Sequence, residues 1–268
     1  MGAVLATPWR RGCPVGAEQA DDGSPIEAVL VGLRGRLAAL PDDRRHLRIF
    51  LATYLRTTET VNAAVDRGSF EDPHWVQRWD AAFAGLYLAA LDAELSADAP
   101  VPRPWALAFG VDPGLPPLRH VLLGINAHIN YDLPQALLAT ISDDDFRDAG
   151  LMARRRRDHE RIDDLLSGRV AAEDNELAAG STTLLDRLLR PLNRKASRMF
   201  LREARRKVWH NTLELQLART AGAGAYTVRL AELEVLSAAR IAELLQPGQV
   251  LLRLAVGGFG VRLPPAGA

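Results

Sequence analysis

The sequence predicts an all-α protein: a single globular multi-helix domain, seven to nine helices around a buried central helix. Three observations lead there. Apolar residues recur at spacings of three and four along most of the chain, without the alternation of two that marks strands. Proline and glycine stand at the ends of those runs, where helices start and stop. The stretch Leu118 to Ile141 is apolar all round the helical axis, a pattern that suits only a helix covered on every side.

The first element opens at Ser24-Pro25-Ile26-Glu27, which has a serine N-cap, proline at the first helical position and a glutamate placed to close a capping box. Ile26, Val29, Leu30, Leu33, Leu37 and Leu40 follow at helical spacing, and Pro41 ends the run. A second helix is predicted from Arg44 to Arg67, with Leu47, Phe50, Leu51, Tyr54, Leu55, Val61 and Val65 on its inner face and Gly68 as its stop. Asp72-Pro73 opens the third, whose Trp75, Val76, Trp79, Phe83, Leu86, Tyr87 and Leu91 form an aromatic inner stripe better suited to a core than to a cofactor box. A proline-bearing linker from Ser96 to Pro104 leads to a short helical turn at Trp105 to Phe109 and a further loop through Pro117.

Within the central helix, Val121, Leu122, Leu123, Ile125, Ile129 and Leu133 surround the axis. Pro134 has no N–H for the carbonyl of Asn130, which predicts a kink, or a restart capped by Asp132. After a turn at Asp143 to Asp145, a strongly charged helix is expected from Leu151 to Leu177. Further helices are expected at 182–192, 196–217 and 226–245. The helical domain is therefore placed at 24–246, with 1–23 a flexible amino-terminal tail and 247–268 a Gly/Pro-rich carboxy-terminal arm carrying the apolar run Val250 to Val256.

Composition narrows the function. Lys plus Arg and Asp plus Glu balance at 33 each, so no global field draws nucleic acid or an anionic membrane, and no nucleic-acid partner is expected. The lone Cys13 closes no intrachain disulfide, and the first residues lack the order of a signal peptide, so a cytoplasmic location is expected. No apolar run reaches the length of a membrane span. Dinucleotide, Walker, Gly-x-Ser-x-Gly and Cys-x-x-Cys signatures do not occur, which removes most nucleotide-driven, serine-hydrolase and redox-thiol chemistry.

The segment Leu123-Gly124-Ile125-Asn126-Ala127-His128-Ile129-Asn130-Tyr131-Asp132-Leu133-Pro134 is preceded by Phe70-Glu71-Asp72-Pro73-His74-Trp75-Val76 and the Trp79/Phe83/Tyr87 stripe. Together these resemble a bacterial, mainly actinobacterial, domain-of-unknown-function family, number 5995, over Leu47 to Leu217. The resemblance implies a helical fold and brings no activity with it.

Chemistry centres on His128 and Asp132, which a continuous helix places on one face amid apolar neighbours. Burying such groups is costly unless they are paired, bonded or bound to metal. One reading is structural, with Asp132 bonding His128 or capping the restart. The other is a divalent metal site, such as zinc, for imidazole and carboxylate four apart reach one ion. His159 and Asp163 repeat that spacing, and His74 and Asp72 are further candidate ligands. Two His-x-x-x-acid pairs on helices are similar to the zinc-dependent phospholipase C and single-strand nuclease architecture. Met1 on a tail, and only apolar side chains in the turns after Asp132, depart from it. Asn126, His128, Asn130, Asp132, His74 and Trp79 are the candidate pocket residues. Two functions stay open: a metal-dependent hydrolase-like protein, requiring at least three converging ligands, and a non-enzymatic helical module binding a small molecule or protein partner.

Overall fold

The computed structural model describes residues 24–177 and 207–246; the predicted tail, the carboxy-terminal arm and the expected helix at 182–192 lie outside the described residues. Every regular element among the described residues is helical. In order they are α1 (Pro25–Ala39), a 3-10 turn (Asp42–Arg44), α2 (Leu47–Asp66), α3 (Pro73–Ser96), α4 (Arg103–Phe109) and α5 (Pro117–Ala127). A single π turn (His128–Asp132) joins α5 to α6 (Leu133–Thr140); a second 3-10 turn (Asp145–Arg147), α7 (Ala149–Leu177), α8 (207–221) and α9 (Ala223–Leu245) follow. The all-α single domain predicted from periodicity is the observed fold.

Proline in the first two positions of α1, α3, α4 and α5 explains why each begins where it does: an N–H there has no intrahelical partner to lose. The Asp72 side chain caps α3 by accepting from the Trp75 N–H at 2.9 Å. Ser24 makes no such bond, so the capping box expected at α1 is not formed. Helix α2 starts later than its apolar pattern suggested, because residues 42–44 form a 3-10 turn and His46 becomes the N-cap. Gly68 then stops the chain at φ 69°, with its N–H on the Val65 carbonyl at 2.9 Å.

The central helix is interrupted as Pro134 requires, but by a widened turn. The Leu133 N–H reaches back five residues to the His128 carbonyl, and α6 resumes from there. Asp132 makes no cap bond at that restart, so its carboxylate is available elsewhere.

Helix α3 packs along α6, α1 lies on α2 and α3, and α9 covers α4 and α5. Trp75, Trp79, Tyr87 and Trp105 are fully buried between them; complete burial of such a side chain stabilises by roughly 2–3 kcal/mol. Gly124 permits the closest approach. A Cβ there would lie 2.8 Å from Phe50 Cε2 and nearer still to two other ring carbons, so α5 meets α2 only with no side chain at 124.

The charged start of α7 is not simply a solvated face. Asp158, with no exposed surface, accepts the backbone N–H groups of Glu71 and Asp72 at 2.7 and 2.8 Å. Arg155 bonds Asp72 at 2.5 Å with its guanidinium 4.7 Å from the Trp75 ring centre, and Arg157 grips Glu71 through two 2.8 Å bonds. Helix α7 thus holds the loop from which α3 starts.

Candidate ligand site

The π turn carries His128 at its first position and Asp132 at its last. His128 Nδ1 lies 2.8 Å from Asp132 Oδ2, and Trp105 of α4 donates its indole N–H to the same oxygen at 2.8 Å. Trp105 can only donate, and with Asp132 ionised its Oδ2 accepts in both bonds. The imidazole proton then sits on Nδ1, and Nε2 keeps its lone pair. Burial pushes the His128 pKa down, against the pull of Asp132; burial pushes Asp132 up, against the bonds from His128 and Trp105.

Around this pair the walls are aromatic. His128 stacks on Phe83 with ring centres 3.5 Å apart and planes at 6°, and meets Tyr54 edge-on at 4.6 Å. Phe50, Tyr87 and Trp105 complete the ring of neighbours, their centres 5.9 to 6.2 Å from the imidazole. Four buried polar atoms in this wall have no hydrogen-bond partner: His128 Nε2, the Tyr54 and Tyr87 hydroxyls, and Asp80 Oδ2. Burial pushes the Asp80 carboxyl up to about 7. Burial, and then the charge of Asp80, hold the Tyr54 hydroxyl well above its ordinary range, against a contact with the Thr58 side chain that is too loose in geometry to be a hydrogen bond; the Asp80 carboxyl thus lies within electrostatic reach of the cluster.

The residues singled out from sequence are distributed unevenly. Asn126 and Asn130 satisfy each other and the helix: Asn126 Nδ2 donates to the Leu122 carbonyl at 2.8 Å and Asn130 Nδ2 to Asn126 Oδ1 at 3.2 Å. His74 is exposed in the first turn of α3. Trp79 stands in a column, stacked on Trp75 and Phe83, whose end rests on His128. His159 packs against Trp79 at 5.6 Å and Trp209 at 5.3 Å. Contacts therefore run from His128 through Phe83 and Trp79 to His159, an arrangement that strings the two histidines along a column. The Asp163 side chain lies outside the described residues. Among the described residues, no group of three or more His, Cys, Asp or Glu side chains is placed to hold a metal ion.

Sequence reasoning missed Asp80 and the bond from Trp105. Asp80 was detectable, being the one acid at helical spacing inside the stripe of Val76, Phe83, Ala84 and Tyr87. The bond from Trp105 to Asp132 joins helices 27 residues apart and leaves no local trace.

With the fold and site defined, the class is a helical domain with a closed aromatic and polar interior. The model of a family described as "Family of unknown function (DUF5995)" matches residues 26–247, and the chain belongs to that family. No curated protein and no solved structure matches the chain.

Proposed function

We propose that this chain is a non-enzymatic helical binding module whose interior, around His128, takes up a small molecule with an apolar body and hydrogen-bond-donating groups. The observation that carries this reading is the set of four unpartnered polar atoms in one aromatic wall. Each buried polar atom left unpaired costs about 1–3 kcal/mol, and native interiors seldom tolerate several together without an occupant. His128 Nε2 accepts. The two tyrosine hydroxyls donate or accept, and Asp80, poised to titrate near neutrality, does either. Exposure of His128 and Asp132 is only 3% and 1%, so a ligand reaches them by displacing part of the wall.

The metal-dependent hydrolase reading is the weaker proposal, since the ligands offered by His128, Asp132 and His159 do not form a triad among the described residues. A cytoplasmic location and the absence of a nucleic-acid partner belong to the same proposal, supported by the single Cys13 and the balanced charge. So do the limits of the functional unit, 24–246, with 1–23 and 247–268 outside it. No described helix is long and apolar enough to cross a membrane.

Tyr54→Phe and Tyr87→Phe test the proposal because each deletes an unpartnered hydroxyl and keeps the ring. Each variant is expected to stabilise the ligand-free protein by about 1 kcal/mol, raising its melting temperature by roughly 2–4 °C, and to weaken any ligand-induced shift in a small-molecule thermal screen. A drop in melting temperature in both variants would mean the hydroxyls are already satisfied, and the reading fails.

A further inference from the structure

Two other imidazoles, apart from the His128 cluster, leave a similar account open. His46 stands at the N-cap position of α2, without a side-chain cap bond, and His120 lies in the first turn of α5; they are 8% and 5% exposed. Their ring centres are 5.8 Å apart, with planes at 48°. His46 Nε2 lies 3.1 Å from the Phe109 carbonyl, which can only accept, so its proton is on Nε2 and Nδ1 carries a lone pair. The backbone of Pro113 and Leu115 approaches the His120 ring; a proline backbone offers only a carbonyl, so this ring also faces an acceptor. Its unpartnered atom is Nε2, so the donor is Nδ1. Both remaining nitrogens, His46 Nδ1 and His120 Nε2, are buried lone pairs without a hydrogen-bond partner.

Each of these buried lone pairs calls for a donor or a cation, and with ring centres 5.8 Å apart one ion is within reach of both rings. Histidine ligands of metals characteristically donate their second ring N–H to a carbonyl or carboxylate, which fixes the tautomer, and both rings here are held that way. With metal–nitrogen bonds of about 2.0–2.1 Å, two imidazoles on one tetrahedral ion have ring centres roughly 5–6 Å apart. Asp112, in the loop before α5, adds negative potential near His120, while its Oδ1 accepts from the Gly114 N–H at 2.9 Å.

We propose that His46 Nδ1 and His120 Nε2 bind one divalent transition ion of the zinc class, with water completing its coordination. The ion would tie the start of α2 to the start of α5. With only two protein donors, the site is weaker than a three-ligand centre. It is independent of the ligand site at His128.

Cobalt(II) titration of the full chain tests it, since a tetrahedral or near-tetrahedral cobalt site absorbs visible light and zinc displaces it. The expected result is about one cobalt per chain, with the band and a zinc-induced rise in melting temperature both lost in His46→Asn and in His120→Asn. A His74→Asn/His210→Asn double variant should retain both signals. Should the first two variants fail to fold, zinc titration of the wild type followed by nitrogen-15 NMR must shift His46 Nδ1 and His120 Nε2 specifically. Absence of any metal signal, the result expected if a water bridges the two nitrogens, overturns the proposal. A signal that survives either substitution, or ring nitrogens that do not respond, overturns it equally.

Discussion

A glycine and a phenylalanine decide how closely α2 and α5 approach. Nothing about Gly124 in isolation demands glycine, for its backbone is ordinary helix, and the demand comes from the Phe50 ring lying where a Cβ would be. Phe50 in turn packs edge-on against both His128 and Tyr87, so moving it disturbs the cluster. Gly124→Ala is expected to destabilise by about 1–3 kcal/mol through overpacking. Adding Phe50→Leu should recover part of that loss. A chemical-denaturation double-mutant cycle checks it, and additivity of the two changes would show that the ring and the glycine are not coupled.

Among the elements, the π turn and the head of α7 show how a local rule is met by an answer the rule does not specify. Pro134 requires that the central helix lose a bond; whether it kinks, restarts from a cap or widens depends on what the neighbours hold. Here Trp105 holds Asp132 from α4, which removes the capping option and leaves the wide turn. The element order, the proline starts of α1 and α3 and the pairing of His128 with Asp132 were legible because they depend on spacings of four or fewer residues, whereas α4 and α5 start inside what read as a linker and a loop. The bond from Trp105, the burial of His120 and the docking of α7 were not, since each joins segments distant in sequence. At α7 a run of arginines looks solvated until Asp158 is seen to accept two backbone N–H groups across 86 and 87 residues. Asp158→Ala should therefore cost about 2–4 kcal/mol, the loss of two charge-assisted bonds to the backbone. Arg157→Ala, whose ion pair lies in solvent, should cost much less than Asp158→Ala. Urea denaturation of both variants compares them, and equal losses would contradict this division.

At the scale of the whole molecule, the unpartnered interior predicts a pH dependence of folding. The Asp80 carboxyl is raised from an ordinary 3.8 to about 7, with burial as the cause. Between those values the folded chain holds a proton that the unfolded chain has released. Its contribution is thus fully present below about pH 4, declines as pH rises, and is lost above about pH 7. Asp80→Asn should remove this slope, on the order of 2–4 kcal/mol between the two ends, so wild type minus variant isolates it from the other carboxylates. Denaturation at about pH 5 and about pH 8 measures the difference; a slope unchanged by the substitution would show that Asp80 is solvated or bonded in solution.

The interior around His128 is held to be a binding site, and native mass spectrometry tests that most directly. The untagged chain would be incubated with a small-molecule extract of its expression host and re-isolated, beside a Tyr54→Phe/Tyr87→Phe/Asp80→Asn variant with matching circular dichroism. A discrete non-covalent mass on the wild type, much reduced on the variant, is the predicted result. The bare polypeptide mass in both, or an adduct carried equally by both, would contradict the account and leave His128, Asp132 and Trp105 as a structural tie within the core.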